Sequence, residues 1–274
     1  MIENEDSLQK RIAEYRQTSE HHDHLFRDFT RRTEACPLLR QHRKWVEEHR
    51  WGYGDRAFAY MWLLILREIA SRFPENSALE IGVYKGQTIS LWALLARELG
   101  VDLDITAVSP FEGNFQPAAR WRHRFRWLLS PRYRREAAVG NLHPKDDYTA
   151  CNREVFRAFG LDFADVRAIC GRSQDAEVLA ALQDESFSLV YIDGDHRYEA
   201  VLLDLQNYSP RVRPGGILVV DDASFFLPGT AFFKGFESVS SACEILPSLG
   251  LNPVLTIGHN RIFQRSSEGS RASA

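Results

Sequence analysis

Cysteine is scarce in this sequence, as are long apolar runs and any excess of charge of one sign. Four cysteines (Cys36, Cys151, Cys170 and Cys243) lie scattered among 274 residues with no CxxC spacing. That pattern excludes a disulfide framework and a zinc or dithiol motif. The four read as reduced, mostly structural thiols of a cytoplasmic protein. The longest apolar stretch, FAYMWLLIL, is about half the length that a bilayer-spanning helix needs, so no membrane span is expected. The opening MIENEDSLQKRIAEYRQ is acidic and polar where a secretory signal needs a basic start and an apolar centre. Lys and Arg number 34 against 37 Asp and Glu, a net charge of -3. A chain so balanced lacks the overall basic field of a nucleic-acid binder, and nucleic acid is disfavoured as a partner.

Hydrophobic residues make up 44% and charged residues 26%, ordinary proportions for a globular chain with a sizeable core. Residues 1–74 read as a helical extension. It is charged to about residue 50, then continues in the apolar helix RAFAYMWLLILREIASRF (56–73), which stops at Pro74. From residue 78 apolar strands alternate with helices, the pattern of a parallel α/β sheet. The strands are ALEIGV (78–83), LDITAVS (103–109), VRAIC (166–170), FSLVYID (187–193) and GGILVVDD (215–222). LNPVLTIGHNRIFQR then supplies two more about a Gly-His-Asn turn. The expected fold is α/β and Rossmann-like: a seven-stranded, mostly parallel sheet over residues 75–265, closed by a C-terminal antiparallel pair. A long insertion, residues 110–165, follows strand two, where substrate specificity is expected to sit. The tail, 266–274, reads as disordered.

The first strand runs into LEIGVYKGQT, which sets Glu80 before Gly82 and Gly86. Glycines there let the backbone turn sharply and approach a ligand beside a helix N-terminus. The spacing is ExGxxxG, not the GxGxxG of dinucleotide sites. An acid in front of the first glycine suits an amino group and repels a pyrophosphate, which favours S-adenosylmethionine (SAM) over a nicotinamide cofactor. The alternative is a tight turn with no ligand.

Strand four ends in Asp193, with Asp195 and His196 following, and strand five ends in Asp221-Asp222. Ligands of open parallel sheets bind outside the carboxyl ends of the strands. Carboxylates converging there repel one another unless a cation sits among them, and Mg²⁺ or Mn²⁺ prefers such oxygen donors. The competing account is that Asp195 and Asp222 cap the segments that follow. His196 would stand beside the metal, placed to take a proton from an acidified hydroxyl. The remaining histidines, including those of HHDH, read as surface residues or at most weak incidental metal binders.

Together, ALEIGVYKGQT, ICGRSQD, YIDGDHRYEAVLLDLQNYSPRVRPGGILVVDDA and the closing strand pair resemble a class I SAM-dependent methyltransferase. The likeness is greatest to metal-dependent O-methyltransferases of macrolide and aminocoumarin sugars, and more distant to catechol O-methyltransferase. It implies that Glu80 and the backbone at Gly82 hold the methionine part of SAM, with Tyr84, Gly86, Thr88 and Asp193 nearby. Ser173 and Gln174 would border the adenine. Asp193, Asp221 and Asp222 would bind the metal, and His196 or Asp195 would be the base. The family places an acid at the end of strand two for the ribose hydroxyls. Here Ser109 stands at that position: either Ser109 bonds the ribose more weakly, Glu112 three residues on swings in, or SAM sits slightly differently.

RWRHRFRWLLSPRYRREA (120–137) interleaves arginines with aromatics. It suits an anionic acceptor, a lid or a subunit contact. The alternative is a solvated helix with its aromatics packed inward. The resemblance implies a SAM- and metal-dependent transfer of methyl to a small-molecule hydroxyl, most simply on a sugar, and by analogy a homo-oligomer. A catechol-type phenol is the second acceptor class. A non-catalytic SAM-binding module that docks RNA or an anionic partner through the basic segment is the reading from another class.

Overall fold

Residues 6–115 and 126–267 are described by the computed structural model. The tail from 268 and residues 120–125 of the arginine-rich segment lie outside them. Strands β1 (Asn76–Ile81), β2 (Leu103–Ser109), β3 (Arg167–Cys170), β4 (Phe187–Ile192), β5 (Val212–Val220), β6 (Leu251–Ile257) and β7 (Asn260–Arg265) form one sheet in the order β3-β2-β1-β4-β5-β7-β6. The first five run parallel, and β7 pairs antiparallel with both β5 and β6. This is the seven-stranded sheet with an antiparallel close that the alternating pattern predicts.

Helices cover both faces, so the inner strands are apolar without alternation; FSLVYI of β4 is buried at every position. On one face α4 (Ala57–Arg72) and α5 (Gln87–Leu99) bring Trp62 and Trp92 together with Tyr191. The Trp62 ring meets each of the other two edge-on at 5.0 Å. On the other face α8 (Ala176–Ala181), α9 (Tyr198–Tyr208) and α10 (Glu237–Ala242) enclose Val190, Leu205, Tyr208 and Phe263. The helix that follows β4 stops at Tyr208. Pro210 sits in a 3-10 turn over Ser209–Arg211, and β5 starts at Val212, three residues earlier than expected.

The extension is better packed than its charge suggests. Helices α1 (Leu8–Glu14), α2 (Ser19–Ala35) and α3 (Pro37–His49) bury Leu8, Leu25, Phe29, Leu39 and Val46. Arg11 joins Asp6 and Asp28 in a buried ion network. The insertion carries α6 (Pro131–Ala138) and α7 (Tyr148–Ala158). Ahead of α6, Trp127 is 53% exposed, so this aromatic does not pack inward. Among the described residues no helix is long and apolar enough to cross a membrane. All four cysteines are free; Cys151 and Cys243 are buried, Cys170 is exposed.

Strand β1 pairs with β2 on one side and β4 on the other, so connections leave it in opposite directions. The crevice at such a switch point, outside the carboxyl ends of the strands, is where open α/β sheets bind ligands.

Candidate functional site at the carboxyl ends of the strands

Gly82 follows β1 directly, with φ +95. A Cβ there would lie 2.0 Å from the carbonyl oxygen of Asp193, so only glycine lets the ends of β1 and β4 close together. Gly86, also at positive φ, opens α5. Between them Tyr84 is half-buried, edge-on to Tyr148 at 4.9 Å.

Glu80 is 3% exposed. Burial pushes its pKa well above the carboxylate range, and the Asp193 and Asp221 charges add to this. The Thr88 hydroxyl and the Ile89 N–H hold the carboxyl and pull the other way. Thr88 thus serves Glu80. The Oε2 atom has no partner. An unpaired buried acceptor costs about 1–3 kcal/mol, so a bare oxygen here fits a donor that arrives from outside. An ammonium group such as that of SAM meets the requirement.

At the end of β2, Ser109 is buried and spends its hydroxyl on the backbone. It donates to the Val83 carbonyl (2.7 Å) and accepts from the Phe111 N–H (3.3 Å). Glu112 is exposed and lines a pocket of about 510 Å³ with Phe111, Lys145 and Cys170. After β3, the Ser173 hydroxyl donates to Asp204 Oδ1 (2.7 Å) and Gln174 Nε2 donates to the Ala200 carbonyl (3.2 Å). These bonds fix the Ser173-Gln174 segment on α9. Burial raises Asp204 to about 6, against the bonds from Ser173 and Gln174.

Asp193, Asp221 and Asp222 lie near enough to act on one another's ionisation. Burial raises Asp193 well above the usual range, helped by the Asp221 charge, although 32% of its side chain stays open. Burial and then Asp221 raise Asp222 to about 6. Burial works against Asp221 too, but His259 outweighs it and leaves Asp221 the charged member. Carboxylates that raise one another's pKa repel when ionised, so this set fits a divalent cation.

His196 and Asp195 have different surroundings. His196 Nε2 is buried without a hydrogen-bond partner, 3.6 Å from Asp222 and 3.9 Å from Asp193. Burial lowers its pKa, and the Asp193 and Asp222 carboxylates overcome that and carry it to about 9. Asp195 accepts from Asn141 Nδ2 (2.8 Å), from the Arg197 N–H (2.8 Å) and from the Arg197 guanidinium. Burial opposes that grip, but the bonds hold its pKa below the usual value, which makes it the weaker base.

Three side chains here carry no strong sequence signal. Asn141 comes from the insertion and also accepts the His196 N–H (3.2 Å). His259, in the Gly-His-Asn turn, is 4% exposed, so its reading as a surface residue is wrong. Its Nε2 lies 3.2 Å from Asp221 Oδ1 and its Nδ1 lies 3.4 Å from Asp55 Oδ2. Asp55 belongs to the extension, which therefore reaches the site. Two more histidines are buried rather than superficial. His42 bonds Ser90 (2.9 Å), and His22 meets Tyr15 (2.7 Å) and the Pro228 carbonyl.

A family model described as a methyltransferase domain matches residues 79–223, from the strand of Glu80 to the residue after Asp222. A provisionally named O-methyltransferase of Mycobacterium sp. (strain JLS) is 34% identical over 104 residues. That match covers 36% of this chain and 42% of the relative, so the chain spans less than half of the relative's length. Among solved structures, the O-methyltransferase NovP is similar with a TM-score of 0.53 at 18% identity, over 76% of this chain and 79% of that one. CalS11, a TDP-rhamnose 3'-O-methyltransferase of calicheamicin biosynthesis, is similar with a TM-score of 0.51 at 15% identity, over 94% and 99%. Likeness at such identities establishes the fold.

Proposed function

This chain belongs to the methyltransferase domain family, and on that premise we propose that it is a SAM- and divalent-metal-dependent O-methyltransferase. Its acceptor is a hydroxyl of a small molecule, a sugar of a glycoside or natural product. The observation that carries the reading is the meeting of Asp193, Asp221 and Asp222 beside the unpartnered Nε2 of His196, with the bare Oε2 of Glu80 at the neighbouring strand end. The sugar is favoured by the likeness to CalS11, which acts on TDP-rhamnose.

When bound, SAM supplies the methyl group and Mg²⁺ or Mn²⁺ supplies the Lewis acidity that lowers the pKa of an acceptor hydroxyl. Glu80 accepts from the methionine ammonium. Ser173 and Gln174, fixed by Asp204, border the adenine. Asp193, Asp221 and Asp222 would hold the ion, whose charge would offset the repulsion among them. His196 takes the acceptor proton on Nε2 while Nδ1–H stays on the Val139 carbonyl. Asp195, already committed to Arg197 and Asn141, keeps the His196 loop in place. Bound SAM would give its methyl group to the acceptor oxygen and leave as S-adenosylhomocysteine, and the positioning these residues provide would supply much of the rate.

The test is transfer of labelled methyl from SAM to a panel of nucleotide sugars, glycosides and catechols, with and without EDTA. The expected result is O-methylation of a glycoside that EDTA abolishes and Mg²⁺ or Mn²⁺ restores. Transfer that persists in EDTA would remove the metal from the reading. Transfer confined to catechols would replace the sugar.

A further inference from the structure

The turn between β6 and β7 places a buried imidazole under the acidic strand ends. We propose that His259 is a nitrogen donor to the divalent ion held by Asp221 and Asp222, and that Asp55 of the N-terminal extension positions it. The inference rests on the metal-dependent reading above and adds a ligand that the acidic strand ends alone do not announce.

The geometry has three parts. Asp221, Asp222 and His259 each offer one donor atom, all within 4.8 Å of one another. Donors about 2.1 Å from one ion stand no more than about 4.2 Å apart, so small movements close the group. The second part is the far side of the ring. Nδ1 faces Asp55 Oδ2 at 3.4 Å, and metal-bound histidines usually give their other N–H to a carboxylate. The third part is how firmly the pieces are held. Asp55 Oδ1 accepts from the Ala57 N–H (2.8 Å) at the start of α4. The His259 carbonyl accepts from the N–H of Ala223, the residue after Asp222 (2.9 Å). Gly258 has φ +57, a conformation that favours glycine, and the absence of a Cβ leaves room for Asp55 Oδ2, which a Cβ would approach to 2.7 Å.

His259 could instead be a permanent counter-charge to Asp221, competing with the ion. The two roles predict opposite effects. An imidazole ligand shifts preference away from Mg²⁺, which favours oxygen donors, towards Mn²⁺, and its removal weakens Mn²⁺ binding. A competing imidazolium, once removed, leaves the ion bound more tightly.

The experiment titrates the metal-stripped full-length protein with Mn²⁺ and with Mg²⁺ by calorimetry, and records the electron spin echo spectrum of the Mn²⁺ complex. The variants are His259→Gln, Asp55→Asn, His196→Gln and Asp221→Asn. Imidazole nitrogen coupling is expected in the wild type and in His196→Gln, and is expected to vanish in His259→Gln. The preference for Mn²⁺ over Mg²⁺ falls at least ~10-fold in His259→Gln, and Asp55→Asn weakens Mn²⁺ binding by about 10–100-fold. Mn²⁺ binding lost in Asp221→Asn but unchanged or tightened in His259→Gln overturns this inference and leaves the metal reading intact. No ion bound by the wild type overturns both. If His259→Gln does not fold, a wild-type spectrum without nitrogen coupling is enough to overturn the inference.

Discussion

The carbonyl oxygen of Val139 lies 2.6 Å from Nδ1 of His196. A carbonyl only accepts, so the ring carries a proton on Nδ1 and turns Nε2 towards Asp193 and Asp222. Val139 closes α6, and Asn141 two residues on binds both Asp195 and the His196 N–H. The insertion therefore sets the orientation of the proposed base.

Replacing His196 with Gln is expected to lower kcat by about 10²–10⁴-fold, the usual contribution of a general base, with SAM affinity unchanged. Asp195→Asn keeps the size and part of the bonding of a carboxylate that is already engaged, so it loses less than about tenfold. Steady-state kinetics on the identified acceptor check both. A larger loss in Asp195→Asn than in His196→Gln would move the base to Asp195.

Without metal, the neighbouring carboxylates hold His196 at about 9 despite its burial. A cation on Asp193 and Asp222 neutralises them, and the imidazole pKa falls. NMR titration of His196 with and without Mg²⁺ measures the shift. An unchanged value would place the ion elsewhere.

Asp204 is 1% exposed, and burial raises its pKa from the ordinary aspartate value of about 3.9 to about 6. Below the lower value both folded and unfolded chains are protonated, and this carboxyl contributes no pH dependence. Between the two values the unfolded chain ionises first, so stability falls as pH rises, by about 3 kcal/mol in full. Asp204→Asn removes that loss and can still accept from Ser173 and Gln174. Thermal melts of both proteins across pH 4–8 are expected to diverge, with the variant the more stable above pH 6. A gap independent of pH would contradict this account of Asp204.

Asp23 of α2 accepts from the Thr230 N–H (2.7 Å), the Thr230 hydroxyl (2.6 Å) and the Ala231 N–H (2.8 Å). These bonds hold the loop after Asp222, where Phe236 stacks on His196 with ring centroids 4.9 Å apart. Asp23→Ala leaves donors unpaired and is expected to cost about 1–3 kcal/mol. Limited proteolysis should then cut within residues 224–235. Resistance equal to wild type would show that the loop is held by other contacts.

The sheet was legible because its inner strands are continuous apolar runs, as in FSLVYI and GGILVV, bounded by glycines and aspartates. Asp193, Asp221 and Asp222 were legible for a related reason: charge at the end of a buried strand is costly without a role. His259 and Asp55 were not legible. Each is an isolated polar residue in a short turn, and they meet across about two hundred residues of chain, as tertiary packing alone determines. His22 was hidden in a polar run for the same reason. At Ser109 the position that the resemblance assigns to the ribose suggested a contact, but its hydroxyl bonds the backbone of Val83 and Phe111.

The most direct measurement is calorimetric titration of SAM into the wild type and Glu80→Gln. Gln keeps the shape of the carboxyl but offers the methionine ammonium no charged acceptor. The account predicts one SAM per wild-type chain and affinity about 10–100-fold weaker in the variant, a charge-assisted bond being worth about 1.5–3 kcal/mol. No SAM binding by the wild type, or equal binding by both proteins, would contradict it.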